Sequence, residues 1–247
     1  MLKPSKHWQK LRAWWETPLG QSFLSAEQSQ AEKLLPTLFG YHLLLLGEPQ
    51  FVSCLQKSPI LHRVWLHQMP SFQEGLSAIG GRTDKLPIIQ DGIDVIYLAH
   101  CLEFVDNPHE VLREGFRVLL PEGHIIISNF NPWSIWGIWR FLIRYIKPAA
   151  WDGHFISITR LKDWLSLLGF DVLSVSHYYF RPPIQHIKTL ERLKFLETIG
   201  RWIWPFWSGG YIIHAQKRII TLTAIRPILA KQPKFEEVPD LEPVRSE

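Results

Sequence analysis

LPIIQDGIDVIYLAHCLEFVDNPHEVLREGFRVLLPEGHIIISNFN, residues 86–131, is the stretch whose reading decides the fold. Ile93, Val95, Ile96, Tyr97 and Leu98 make a nearly unbroken run of β-branched, aromatic and aliphatic side chains. Such a run predicts a strand from Ile93 to about Ala99, entered through a tight turn at Asp91-Gly92 and covered on both faces. A helix is predicted from about Asn107 to Leu119. Asp106 or Asn107 can cap it, Pro108 sits where a missing N–H is harmless, and Glu110 suits the positive helix end. Val111, Leu112, Gly115, Val118 and Leu119 give that helix one apolar stripe. After a turn at Pro121-Glu122-Gly123, His124 to Phe130 reads as a second strand. Strand, helix and strand in this span predict a right-handed parallel crossover.

Upstream, residues 1 to about 24 read as a short amphipathic helix ending near Thr17-Pro18-Leu19-Gly20. Ser25 and Gln28 have capping-box spacing for a second helix carrying Leu34, Leu35, Leu38 and Phe39, with Pro36 in its last turn. Tyr41 to Leu46 reads as the first strand, Pro49 to about Lys57 as a helix, and His62 to His67 as the second strand. A third strand falls near Leu76–Ile79. Downstream come an apolar segment from Trp133 to Ile146 and a helix from Arg160 to Leu168, capped by Thr159 and stopped by Gly169. Phe170 to Tyr179 alternates as a strand, Ile187 to Trp204 reads as helical, and Tyr211 to Arg226 as a strand or hairpin. The organisation expected is an N-terminal helical extension (1–37), one α/β domain (38–226) and a disordered tail (227–247) rich in proline and charge.

Composition narrows the function. A chain of 247 residues with 46% hydrophobic content is a globular composition. Cys54 and Cys101 fall in predicted buried elements without metal-ligand spacing, which suits a reducing, cytoplasmic compartment. The N-terminus lacks the apolar core of a secretory signal, and no run reaches the ~20 apolar residues of a membrane span. A net charge of +4 permits contact with an anionic surface and does not argue for nucleic acid. Nine of the twelve tryptophans cluster at Trp8–Trp15, Trp133–Trp139 and Trp202–Trp207. Trp suits amphipathic surfaces and apolar pockets, so these clusters read either as ligand or bilayer contacts or as core filling.

Leu86-Pro87, Ile93-Asp94-Val95, Leu102-Glu103-Phe104-Val105, Pro108, Val111-Leu112-Arg113-Glu114, Arg117-Val118-Leu119 and Pro121-Glu122-Gly123 together carry a family pattern. The stretch resembles the second half of the class I S-adenosylmethionine-dependent methyltransferases, specifically their bacterial type 11, UbiE-like group. The resemblance implies a Rossmann-like α/β fold with a mostly parallel sheet and an antiparallel C-terminal strand. Helices cover both faces, and the Trp-rich segments are extra helical insertions. It also implies S-adenosylmethionine as cofactor.

Carried onto this sequence, the resemblance marks five places. After the first strand the family has Gly-x-Gly-x-Gly; here only Gly47 matches, followed by Glu48 and Pro49, with Leu45 at the family's acidic position. The start of the helix at Pro49 still offers N–H groups to a ligand. At the end of the second strand, where the family binds the ribose hydroxyls with a carboxylate, stands His67. Before Leu86-Pro87, Arg82 takes the position of the family's adenine-binding acid, with Thr83 and Asp84 next to it. A slip in the loop lets Asp84 substitute, while an inward Arg82 suits an anionic ligand group. After the fourth strand, His100 and Leu102 lie over the cofactor, and His100 is the candidate base near neutral pH. After the fifth, Asn131 and Trp133 are candidate acceptor contacts, with Trp136, Trp139 and Phe141 as an apolar lid. For each place a plain structural role stays open beside the functional one.

The resulting expectation is a methyltransferase acting on a small or lipophilic acceptor, with peripheral membrane contact compatible with it. The alternatives are a methyltransferase-like domain that has lost its cofactor and serves as a scaffold, and a domain binding a modified, anionic adenosyl compound.

Overall fold

The computed structural model describes residues 6–67, 75–138, 153–183, 192–193 and 195–218. Within them seven strands form one sheet: β1 (His42–Leu46), β2 (His62–His67), β3 (Ser77–Gly80), β4 (Ile93–Ala99), β5 (Leu119–Phe130), β6 (Phe170–Tyr178) and β7 (Gly210–Lys217). Their order is β3-β2-β1-β4-β5-β7-β6. Every neighbouring pair is parallel except those made by β7, which is antiparallel to both β5 and β6. This is the expected Rossmann-like α/β sheet with its antiparallel last strand. The register also explains why β1 and β4 read as continuous apolar runs. Leu43 and Leu45 pack on one face with Val95, Tyr97 and Ala99, while Leu44 and Leu46 pack on the other with Ile96 and Leu98. Both faces are dry.

Among the described residues the α-helices are α1 (Lys6–Trp15), α2 (Pro18–Leu34), α3 (Pro108–Val118), α4 (Ile158–Leu168) and α5 (Phe195–Ile203). α3 and α4 cover the face of Leu44 and Ile96. α1 and α2 cover the face of Leu45 and Tyr97, and Leu11, Trp14, Trp15, Phe23, Leu24 and Leu35 belong to that core layer. Leu11 to Leu35, within the 1–37 stretch read from sequence as a helical extension, thus pack against the sheet as one wall of the core. Burying a Leu- or Phe-sized side chain stabilises by roughly 1.5–3 kcal/mol, so this layer carries a large share of the fold.

The residues behind the family pattern turn out to hold the crossover together. The Glu114 carboxylate accepts the Leu86 N–H at 2.8 Å, and Arg117 donates to Glu114 and to the Leu86 and Ile88 carbonyls. Asp94 accepts the N–H groups of Tyr41 and His42, both at 2.9 Å, at the amino end of β1.

Several local expectations are corrected. Thr17, not Ser25, caps α2: its hydroxyl accepts the Gly20 N–H at 3.1 Å, and Pro18 at the first position leaves Ser25 mid-helix. Ser157, not Thr159, caps α4, accepting the Arg160 N–H, and Gly169 ends it at φ 92°, a left-handed conformation glycine takes at least cost. The helix expected from Pro49 is two short 3-10 pieces, Pro49–Phe51 and Ser53–Lys57. Pro121-Glu122-Gly123 is absorbed into β5 as an irregularity: the pairing jumps from Ile93–Leu119 to Val95–His124, and Glu122 takes φ 61°. The expected Trp139 and Phe141 contacts and residues 219–247 lie outside the described residues.

Candidate functional site

The carboxyl ends of the parallel strands bring the expected residues to one rim of the sheet. β1 ends at Gly47. A Cβ there would come within 2.7 Å of the Ala99 carbonyl oxygen, so only glycine lets the end of β1 lie this close to the end of β4. The Trp65 indole donates to the Gly47 carbonyl at 3.0 Å and fixes the turn from the side.

Glu48 follows and is 1% exposed. Arg12 of α1 donates through Nε to its Oε2 at 3.0 Å, and its Oε1 stands 3.5 Å from Nε2 of His67 at the end of β2. A carboxylate is thus present between the ends of β1 and β2. It arrives from the β1 loop instead of from β2. Among the described residues Oε1 makes no hydrogen bond, and neither do the Trp15 indole N–H and the Gln50 side-chain oxygen, all buried. Because Pro49–Phe51 is a single 3-10 turn, the expected N–H donors of a long helix are missing here.

In the loop after β3, Arg82 and Asp84 satisfy each other. Nε donates to Oδ1 at 2.8 Å and Nη2 to Oδ2, and the Arg82 hydrogen bond holds the Asp84 pKa below the usual carboxylate value. This correction removes the reason to expect an anionic ligand at Arg82, whose guanidinium is largely exposed and already matched. Thr83 reaches the Cys101 thiol, whose pKa burial pushes up to about 12, so the loops after β3 and β4 meet. Leu102 is buried in the apolar layer under α3 and α4.

His100 takes φ 49° and is 1% exposed. Its Nε2 lies 3.0 Å from Oε2 of Glu27 on α2, and its Nδ1 lies 2.8 Å from Oε2 of Glu103. The Tyr97 hydroxyl donates to the other Glu27 oxygen at 3.1 Å, and the Phe130 N–H donates to the other Glu103 oxygen. Phe130 and Trp15 flank the ring, with centroids at 4.1 and 5.4 Å. Burial by itself would lower the His100 pKa, but Glu27 and Glu103 outweigh it and raise the value to about 10. A carboxylate oxygen therefore faces each ring nitrogen, and both nitrogens are engaged within the protein. That geometry replaces the base expected at this position with a buried ionic clasp between α2 and the end of β4. Glu27 was missed by sequence reading. The signal was there, an acid on the apolar stripe that Phe23, Leu24 and Ala31 define.

Asn131 and Trp133 part company. Asn131 is buried with both ends of its amide engaged: Nδ2 donates to the Phe206 carbonyl at 2.7 Å and Oδ1 accepts the Trp133 N–H at 3.1 Å. It ties the end of β5 to the turn before β7. Trp133 points away and is 76% exposed, as are Trp202, Trp204, Phe206 and Trp207 in large part. Trp136 is core: its indole donates to the Arg181 carbonyl at 2.9 Å and its ring meets Trp14 and Phe23. Under α1 and α2, Trp14, Trp15, Phe23, Phe130 and Trp136 thus pack together as buried core around one ionic cluster.

Three comparisons bear on this site. A family described as "Methyltransferase domain" matches residues 23–175, from the middle of α2 into β6. The chain is 30% identical over 173 residues to the uncharacterised protein YafS of Escherichia coli (strain K12), covering 70% of each. It is 33% identical over 60 residues to the mitochondrial 2-methoxy-6-polyprenyl-1,4-benzoquinol methylase of Xenopus laevis, covering 24% of this chain and 19% of that one. Among solved structures, a SAM-dependent methyltransferase of Thermotoga maritima superposes with a TM-score of 0.61 at 19% identity, covering 85% of this chain and 96% of that chain.

Proposed function

The chain belongs to the class I S-adenosylmethionine-dependent methyltransferases, and from that premise we propose that it methylates a small lipophilic acceptor held beneath α1 and α2 at the ends of β4 and β5. The observation that carries the reading is the lining of that place. Trp14, Trp15, Phe23, Phe130 and Trp136 form a packed aromatic layer there, and the polar groups among them, Glu27, His100 and Glu103, are closed on one another. Such a lining favours an apolar acceptor over a strongly polar one. The name of the Xenopus relative, a polyprenyl-benzoquinol methylase, points to the same acceptor class and supports the UbiE-like resemblance.

S-adenosylmethionine is the cofactor, and it supplies an activated methyl group on a sulfonium. The residues present fit it. Gly47 keeps the β1 loop close to β4, and Glu48, Trp15 and Gln50 each offer a buried polar atom that makes no hydrogen bond among the described residues. Thr83 and Asp84 stand in the loop after β3, with Thr83 against the Cys101 thiol after β4, and His67 stands by Glu48. Because the methyl is already activated, the chain's task is to position the acceptor and exclude water, and it needs no proton acceptor at His100. The clasp of Glu27, His100 and Glu103 does the positioning by fixing α2 over the strand ends.

The exposed Trp133, Trp202, Trp204, Phe206 and Trp207 lie at the same rim, around the end of β5 and the start of β7, and support contact with a bilayer surface that holds such acceptors. No helix among the described residues is long and apolar enough to cross a membrane. The test is transfer of a radiolabelled methyl group from S-adenosylmethionine to a bacterial extract, partitioned between organic solvent and water. Label in the organic phase is expected. Label confined to the aqueous phase, or none in either, contradicts the reading.

A further inference from the structure

We infer that Arg12, Trp15, Glu48 and Gln50 form a side-chain clamp for the amino-acid end of the cofactor, in place of a glycine-rich backbone cradle. The assignment rests on the cofactor reading above and deepens it. The loop after β1 has little backbone to offer: Pro49 has no N–H, and Pro49–Phe51 is one 3-10 turn. What the loop does offer is a set of buried polar atoms without hydrogen bonds, of which Glu48 Oε1 has the His67 ring at 3.5 Å. The Glu48 Oε1, the Gln50 side-chain oxygen and the Trp15 indole N–H make no hydrogen bond among the described residues.

These atoms belong to one neighbourhood. Arg12 and Trp15 are one turn apart on α1 and so share a face. Arg12 donates to Glu48 Oε2 at 3.0 Å. The Trp15 ring centroid lies 5.5 Å from that of Phe51, which adjoins Gln50. An unpaired polar atom in such a place costs free energy unless a ligand completes it.

The polarity of the set selects the ligand. Two acceptors, Glu48 Oε1 and Gln50 Oε1, suit an ammonium group. Two donors, the Trp15 N–H and the remaining N–H groups of the half-exposed Arg12 guanidinium, suit a carboxylate. An α-amino acid presents those two groups on adjacent atoms. A ribose diol can hydrogen-bond to these groups but brings no charge to match the guanidinium, and a phosphate brings none to match the carboxylate.

Isothermal titration with two probes isolates the clamp. S-adenosylhomocysteine carries the amino-acid end; 5′-methylthioadenosine carries the same adenosyl group and sulfur without it. For Glu48→Gln and Arg12→Gln, each checked for an unchanged far-UV spectrum and melting cooperativity, S-adenosylhomocysteine should bind at least tenfold more weakly. Methylthioadenosine should bind within about twofold of wild type. Equal losses for both probes would move Glu48 to the ribose and overturn the assignment, as would no loss for either. Wild-type protein that binds neither probe would overturn the cofactor reading itself along with the clamp.

Discussion

Glu27 on α2 and His100 at the end of β4 are 73 residues apart in sequence and 3.0 Å apart in the structure, between Oε2 and Nε2. The contact makes the N-terminal helices part of the site. Removing one member of a buried ion pair leaves the other charge uncompensated, at a cost of about 3–5 kcal/mol. Glu27→Ala should therefore lower stability by about that much in urea unfolding. A loss under about 1 kcal/mol would contradict the clasp.

The same clasp fixes a pH dependence. His100 has a folded pKa raised from 6.5 to about 10, against the trend of burial, by Glu27 and Glu103. A raised folded value means its stabilisation is fully present below about pH 6.5 and is lost as pH climbs through about 10. Wild type should lose stability across that window, and His100→Gln should show a flatter profile from a lower starting stability. Parallel profiles for the two proteins would refute the assignment.

At Gly47 the prediction concerns packing. A methyl group there meets the Ala99 carbonyl at 2.7 Å, so Gly47→Ala must push the ends of β1 and β4 apart. A cost of about 1–3 kcal/mol is expected, with weaker S-adenosylhomocysteine binding measured by titration. Full stability and unchanged binding would show the approach is not required.

The exposed aromatics predict lipid binding. Wild-type protein should co-sediment with vesicles containing anionic lipid at low salt, less so as salt rises. Trp202→Ser with Trp204→Ser and Trp207→Ser should abolish it while leaving the melting temperature within a degree or two, since exposed positions contribute little to the core. Retained sedimentation in the triple variant would remove this face from membrane contact.

What the sequence made legible follows the range of the forces involved. The strands β2 and β4, helix α3 and the Gly169 stop were readable because each is set by neighbours within a few residues. The parallel crossover was readable because Leu86, Glu114 and Arg117 are fold contacts as well as a family pattern. The roles of His100 and Asn131 were not, because their partners, Glu27 and the Phe206 carbonyl, arrive from distant parts of the chain. Both residues read as ligand contacts in sequence because a polar side chain at a strand end looks the same whether free or clasped. Arg82 failed in the opposite way: its partner, Asp84, was only two residues off. The contact between Glu48 and His67 was invisible for a geometric reason, since Glu48 reaches the end of β2 from the neighbouring strand's loop.

The central claim is that a β1 loop reduced to Gly47 still serves a working cofactor site. A thermal scan with and without S-adenosylhomocysteine tests it most directly. Ligand at about a hundred times its dissociation constant adds ~2.7 kcal/mol, which raises the midpoint of a domain this size by roughly 5–10 °C. A shift of that order is the result predicted here. An unmoved midpoint at millimolar ligand would contradict it.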